Sequence, residues 1–274
     1  MLRIHRDALM DGVDGLRRGE DPPFTGLAYC IDADGVLASI LQVDAGQAVG
    51  ASVDWIALPP GGQRVDLDCL DAGAGCGPLL LGGEPFSGVA YTFEADGVCT
   101  AEALYAAGYP TETSGRAWYP SGALKAMTDP VGTVTCWFED GSLQYHAVGA
   151  DLRYNVIVGG DGHIEALYVQ DATLCDVPAL QRQPFGADVR LMGAGVDGAL
   201  LAALPGLAQV PTLRLTHTGV SLQDWEVLMT LTGVRDLHLD ENPAIFEAEA
   251  EALAHYDDWT VWLDGSRIAG RMAV

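Results

Sequence analysis

The chain of 274 residues holds a single lysine, Lys125, and only 14 basic residues against 38 acidic ones, for a formal net charge of −24. So acidic a chain repels phosphate backbones and anionic lipid headgroups, so direct nucleic-acid binding and membrane-surface binding are not expected. A basic partner is favoured instead. The one lysine follows Ser121-Gly122-Ala123-Leu124 without a glycine-rich cradle, which excludes a P-loop. Long apolar runs are missing too, and nothing approaches the roughly 18 residues of a membrane span. The first twenty residues carry Arg3, Arg6, Asp7, Asp11, Arg17 and Arg18 and lack the apolar core of a secretory leader, so a cytoplasmic location is expected.

Metal and catalytic signatures are equally scarce. The six cysteines (Cys30, Cys69, Cys76, Cys99, Cys136, Cys175) include no CxxC pair and suit neither a zinc site nor a small disulfide framework. Cys69 and Cys76 flank a glycine-rich stretch that would let them meet, but reduced thiols are the expectation for a cytosolic chain. No GxSxG elbow or HExxH helix occurs. His163-Ile164-Glu165 has the HxE spacing of zinc deaminases without a following PCxxC. Asp32 to Gly35 opens like a calcium loop, but Val43 stands where the twelfth-position glutamate belongs, so a hairpin turn is expected. No enzyme activity, metal or cofactor is therefore expected.

What the chain has is repetition of two kinds. From about 24 to 164, apolar residues bracket turn glycines at 35, 97, 122, 141 and 162. Four residues before each glycine stand Ile31, Phe93, Trp118, Trp137 and Val158. Two residues after it stand Leu37, Cys99, Leu124, Leu143 and Ile164. That pattern predicts β-hairpins with one packed face, turning at Asp-Gly and Ser-Gly steps suited to positive φ. Phe24-Thr25-Gly26-Leu27-Ala28-Tyr29 returns as Phe86-Ser87-Gly88-Val89-Ala90-Tyr91. A further hairpin is expected around Trp55 to Leu67, turning at Pro59-Pro60-Gly61-Gly62, and the glycine-rich Asp71 to Gly83 reads as a loop or a degenerate connection. Among the hairpin aromatics, the adjacent pairs Trp118-Tyr119 and Trp137-Phe138 should put one ring on each face.

The second repeat is stricter. Val189-Arg190-Leu191, Leu213-Arg214-Leu215, Leu237-His238-Leu239 and Val261-Trp262-Leu263 recur every 24 residues. Such an LxL core at this period is the signature of a leucine-rich repeat, a strand followed by a helix. Val196, Val220, Ala244 and Ile268 take an apolar post-strand position. Helices are expected over 198–207, 222–231 and 246–255, packing through Leu201 and Trp225, then Leu204, Leu228 and Ala252. Glu249 breaks the third helix's pattern, whose apolar residues shift to Phe246, Ala250 and Leu253. Ser221 is a candidate N-cap and Gly233 a helix stop. A transitional unit begins near Leu167, with Val177 and Leu180 on its helix.

Alternation then leaves one strand column outward. Arg190, Arg214, His238 and Trp262 occupy its middle, Met192, Thr216, Asp240 and Asp264 follow, and Asp188, Thr212, Asp236 and Thr260 precede. Arginine and tryptophan favour binding hot spots, so Arg190, Met192, Arg214, Thr216, His238, Asp240, Trp262 and Asp264 form a candidate partner-binding surface. The plainer alternative is a solvated face with charges paired across the ladder, Arg214 beside Asp236 for instance. Trp262 has a second possible place, packed beneath Arg267 to Val274 as a cap.

The phrases GEPFSGVAYTFEADG, RAWYPSGALKAM and CWFEDGSLQY resemble the MORN-repeat variant of bacterial toxin–antitoxin proteins, over roughly residues 1–165. The chain departs from that pattern between 38 and 85 and in its last third. The resemblance implies an immunity protein, or antitoxin, that binds a cognate toxin. The expected fold is thus an α+β repeat protein: a MORN-like single-layer hairpin sheet over 1–165, then a short leucine-rich-repeat α/β solenoid over 166–274. The expected function is occlusion of a basic toxin domain. The alternative is a non-catalytic scaffold or adaptor.

Overall fold

The computed structural model describes residues 1–12, 15–18, 21–51, 56–72, 77–148, 153–242 and 259–269. These described residues are mostly β-strand (49%) with little helix (13%). It divides into two compact units, Met1–Ser142 and Leu143–Val274. The division falls ahead of the 165/166 boundary read from the hairpin pattern. The reason is packing: Tyr154, Val156, Val158, Ile164 and Leu167 share one buried cluster with Val189 and Leu191.

The first unit contains a duplication that the hairpin pattern shows only in part. Strand Leu2–His5 pairs parallel with Gly26–Ile31, which continues antiparallel to Leu37–Asp44 and then Gln47–Ala51. Strand Gln63–Asp66 pairs parallel with Gly88–Phe93, which continues antiparallel to Cys99–Ala106 and then Tyr109–Trp118. Arg3-Ile4-His5 through Leu9 thus corresponds to Arg64-Val65-Asp66 through Leu70. Each short strand ends in a 3-10 turn whose first free N–H is met by a side chain, that of Asp7 by His5 Nδ1 at 3.2 Å and that of Asp68 by Asp66 Oδ1 at 3.0 Å. The two copies also share a tight Ala-Gly turn with both residues at positive φ, Ala45-Gly46 and Ala107-Gly108.

The copies grip each other reciprocally. His5 N–H donates to Gly97 O at 2.7 Å, and Asp66 N–H donates to Gly35 O at 2.9 Å. Ile4 bridges Val98 while Val65 bridges Val36. Each copy's opening strand therefore caps the other copy's hairpin turn, the pattern of an isologous contact. Tyr29 and Tyr91, equivalent residues, meet in the core between them with Leu27, Val89, Ile56 and Trp118.

The expectation of a hairpin in the 38–85 region is corrected. Pro59 to Gly62 does form a turn, with Gly62 N–H on Pro59 O. No hairpin around Trp55–Leu67 follows among the described residues, because Gln63–Asp66 instead repeats the role of Leu2–His5 and pairs in parallel. The segment Asp71–Gly83, open between a loop and a degenerate connection, contains strands. Asp71–Ala72, Leu79–Leu81 and Glu84–Pro85 make a small antiparallel sheet, turning at Gly82-Gly83; Cys76 lies outside the described residues.

The glycine turns follow one design. Gly35, Gly97, Gly122, Gly141 and Gly162 all have φ between 78° and 85°, and each donates its N–H to the carbonyl three residues before it. A type I turn closed by a left-handed glycine, with a one-residue bulge, produces this geometry. The bulge brings Ile31 onto Leu37, Phe93 onto Cys99, Trp118 onto Leu124 and Val158 onto Ile164, as the flanking apolar spacing requires. Gly132 makes the same turn after Asp129, which accepts from Val131 and Thr133 through Oδ1. It had no signal in the spacing. Asp32 Oδ1 likewise accepts from the N–H groups of Asp34 and Val36, so the Asp32–Gly35 motif serves a turn.

In the second unit, Leu143–Val148, Tyr154–Val158 and Ile164–Val169 form an antiparallel run. From Ile164–Val169 onward the strands turn parallel: Phe185–Met192, Thr212–Thr216, Asp236–Asp240 and Thr260–Leu263, closed by an antiparallel Ser266–Ala269. The register advances by 24 at each parallel step, and it already does so from Leu167 to Leu191. Val189, Leu191, Leu213, Leu215, Leu237, Leu239 and Val261 are fully buried on the inner side. Val196, Val220, Leu201, Leu204 and Leu228 pack against them, with Trp225 partly covered. Ala244 and the whole third helical stretch, including Phe246, Glu249, Ala250, Ala252 and Leu253, lie outside the described residues.

The helices are shorter than the periodicity implies. Gly198–Ala203 ends before Pro205, where a 3-10 segment Pro205–Gln209 takes over, because proline has no N–H for the α ladder. Leu222–Asp224 is 3-10 and only Trp225–Leu228 is α. Ser221 does cap this turn: its Oγ accepts from Gln223 N–H, and Asp224 Oδ2 accepts from Ser221 N–H at 2.8 Å, a reciprocal capping pair. Gly233 acts differently from a helix stop. A Cβ there would lie 2.4 Å from Ala208 O, to which Gly233 N–H donates.

Candidate functional site

The parallel ladder sets its outward side chains in rows. One row runs Tyr145, Ile157, Ala166, Arg190, Arg214, His238, Trp262, each residue the Cα partner of the next. A neighbouring row runs Asn155, Tyr168, Met192, Thr216, Asp240. Seven of the eight residues expected to bind a partner, Arg190 through Trp262, therefore share one face. Asp264 lies just beyond the last of these strands, in a turn at φ 47°. The sequence missed the half made by Tyr145, Ile157, Ala166 and Tyr168. These residues sit on hairpin strands whose spacing is not 24, and the only available signal was Leu167 standing 24 before Leu191.

The charges on this face are arranged diagonally. Arg214 does not pair with Asp236. It reaches back to Asp188, with Nε on Oδ1 at 2.8 Å and Nη2 on Oδ2 at 2.9 Å. The parallel fork geometry of guanidinium and carboxylate favours this two-point contact. It holds the Asp188 carboxyl below, and the Arg214 guanidinium above, their ordinary ranges. Among the described residues Arg190 makes no hydrogen bond or ion pair, and it is exposed. His238 lies flat on Trp262, ring centroids 5.5 Å apart and planes 3° from parallel. Burial first, and then the charge of Arg214, lower the His238 pKa, so its ring is neutral at neutral pH. Trp262 thus stacks on its ladder neighbour, and Ser266–Ala269 pairs along the sheet edge beside it, while residues 270–274 of the expected cap lie outside the described residues.

Two hollows share the wall formed by Arg190, Met192 and Arg214. One, of about 530 Å³, is also lined by Ile157, Asp161, His163, Glu165 and Asp188. The other, of about 560 Å³, is also lined by Thr216, Asp240, Glu241 and Asp264. Ile157, at this end of the face, is an apolar residue left 39% exposed. His163 contacts Asp161 Oδ2 at 3.1 Å, and the next residue, Ile164, is fully buried. Among the described residues no group of three His, Cys, Asp or Glu is placed to hold a metal ion.

The turns beyond the strands are locked by polar contacts that also repeat. Gly193, His217, Glu241 and Gly265, spaced by 24, all have positive φ. His217 pairs with Glu241. Asp264 Oδ1 accepts from Glu241 N–H at 2.7 Å, and Asp240 Oδ1 accepts from Gly265 N–H at 3.2 Å. Beneath them Asn242, 6% exposed, accepts from Thr218 N–H and Oγ1 and donates to Leu215 O at 2.7 Å. The spacing Leu237-x-Leu239-x-x-Asn242 announces such an asparagine, a signal the reading of LxL alone passes over.

No helix among the described residues is long and apolar enough to cross a membrane. Comparison of the chain with protein-family models, curated proteins and solved structures finds no match.

Proposed function

We propose that this chain is a non-catalytic binding protein of the cytoplasm, an immunity protein that neutralises a bacterial toxin by covering a basic domain of it. The observation that carries this reading is the unbroken row from Tyr145 to Trp262, with two hollows along it and an exposed arginine, Arg190, that makes no hydrogen bond or ion pair among the described residues. Aromatic and arginine anchors on a rigid sheet suit a high-affinity protein contact. The charge of −24 speeds encounter with a cationic partner. The hairpins of the first unit carry the MORN-like resemblance that points to a toxin. The 24-residue parallel register and the buried Asn242 support reading the later strands as a short leucine-rich-repeat solenoid.

Co-expression with the product of the adjacent gene tests the reading. Rescued growth and co-purification of a stable complex are expected. Failure of both overturns it, and a partner that keeps its activity when bound makes the chain an adaptor instead.

A further inference from the structure

The charge layout of the face says more about what sits on it. The two hollows are rimmed by six carboxylates, Asp161, Glu165 and Asp188 around one and Asp240, Glu241 and Asp264 around the other. Several are already engaged: Asp188 by Arg214, Asp161 by His163, and Glu241 by His217. Glu165 has no such partner among the described residues. On the wall between the hollows stand Met192, Arg214, whose charge is met by Asp188, and Arg190, exposed and without an ion pair among the described residues. The order along the face is therefore negative, positive, negative. Unlike charges placed opposite one another set register and partner choice, and like charges set against each other are penalised.

We propose that the face binds a cationic protein segment whose lysine or arginine side chains enter the two hollows and whose central carboxylate pairs with Arg190. This rests on the binding reading above and specifies its partner. Arg190 offers a two-point fork to that carboxylate, as Arg214 does to Asp188. The stems of the entering cations lie against Ile157 and Met192, which supply apolar contact at the hollow walls.

The test uses the full chain and three fluorescein-labelled twelve-residue peptides in anisotropy titrations. The first has arginines at both ends and an aspartate in the middle, the second has arginine in place of that aspartate, and the third is acidic throughout. The first should bind at least tenfold more tightly than the second, and the third not at all. Arg190→Glu should weaken the first peptide at least tenfold and strengthen the second. The double change Glu165→Gln with Glu241→Gln should weaken both, since neither side chain braces a buried group; thermal melts of each variant check the fold. Equal binding of the first two peptides, or a ranking that Arg190→Glu leaves in place, overturns the proposal. So does a purified chain that is a dimer dissociated by Arg190→Glu, because the occupant is then a second copy. Toxin neutralisation with no peptide discrimination sinks this proposal alone, whereas peptide discrimination without neutralisation sinks the antitoxin reading alone.

Discussion

Tyr29 and Tyr91 meet ring to ring in the core between the two copies of the first unit, centroids 5.2 Å apart and planes at 60°. They are equivalent residues 62 positions apart, 2% and 0% exposed. Each lies on the strand that receives its own copy's opening strand in parallel. The contact therefore ties both halves of the duplication to one core.

Truncating either ring should unfold the same structure to a similar degree. Tyr29→Ala and Tyr91→Ala should each cost about 3–5 kcal/mol, the range for deleting a large buried aromatic. Urea denaturation of the full chain, followed by tryptophan fluorescence, measures both. A loss confined to one of the two would mean the copies do not share a core.

The duplication also explains which parts of this unit were legible. PFTGLAY and PFSGVAY are alike enough to be matched by eye, since Phe and Tyr there fill a core and Gly26 and Gly88 let the opening strand's Leu2 and Gln63 carbonyls approach too closely for a Cβ. The opening strands are not. Arg3-Ile4-His5 and Arg64-Val65-Asp66 share only an arginine and a buried β-branched residue, because a short parallel strand needs just one inward side chain. Their pairing is non-local, so no turn signal marks it. The strict period of the later strands made their register readable, while Pro205 and the 3-10 segments shortened helices that periodicity alone extends.

Glycine turns of equal φ should differ in their tolerance of alanine. Gly35 at φ 78° has no room for a Cβ, which would lie 2.2 Å from Cys69 Sγ, whereas Gly141 at φ 85° faces open space. Gly141→Ala should cost about 1–2 kcal/mol from left-handed strain alone. Gly35→Ala should cost clearly more, because Cys69 belongs to the other copy's capping turn. Equal losses in paired melts would show that the reciprocal contact is slack.

Asn242 should matter more than any exposed residue of the ladder. Asn242→Ala leaves Thr218 N–H and Leu215 O without their side-chain partner in a buried place. At about 1–3 kcal/mol per unsatisfied buried group, a loss of several kcal/mol is expected. His238→Ala, on the half-buried outer row, should cost far less. Urea titration of the two variants under identical conditions gives the comparison.

His238 provides a pH test of the outer row. Its folded pKa lies below the ordinary value near 6.5, through burial first and the Arg214 charge second. The unfolded chain therefore binds the proton more readily than the folded one. Stability from this residue is complete above about pH 6.5 and declines as pH falls toward the folded pKa. Arg214→Gln removes the nearby cation, and also the two-point contact that neutralises Asp188. Both changes favour the imidazolium, so the His238 pKa should rise toward its ordinary value. Nitrogen-15 NMR titration of the ring reads that shift directly. A His238 pKa unmoved in Arg214→Gln would mean that burial against Trp262 alone sets it.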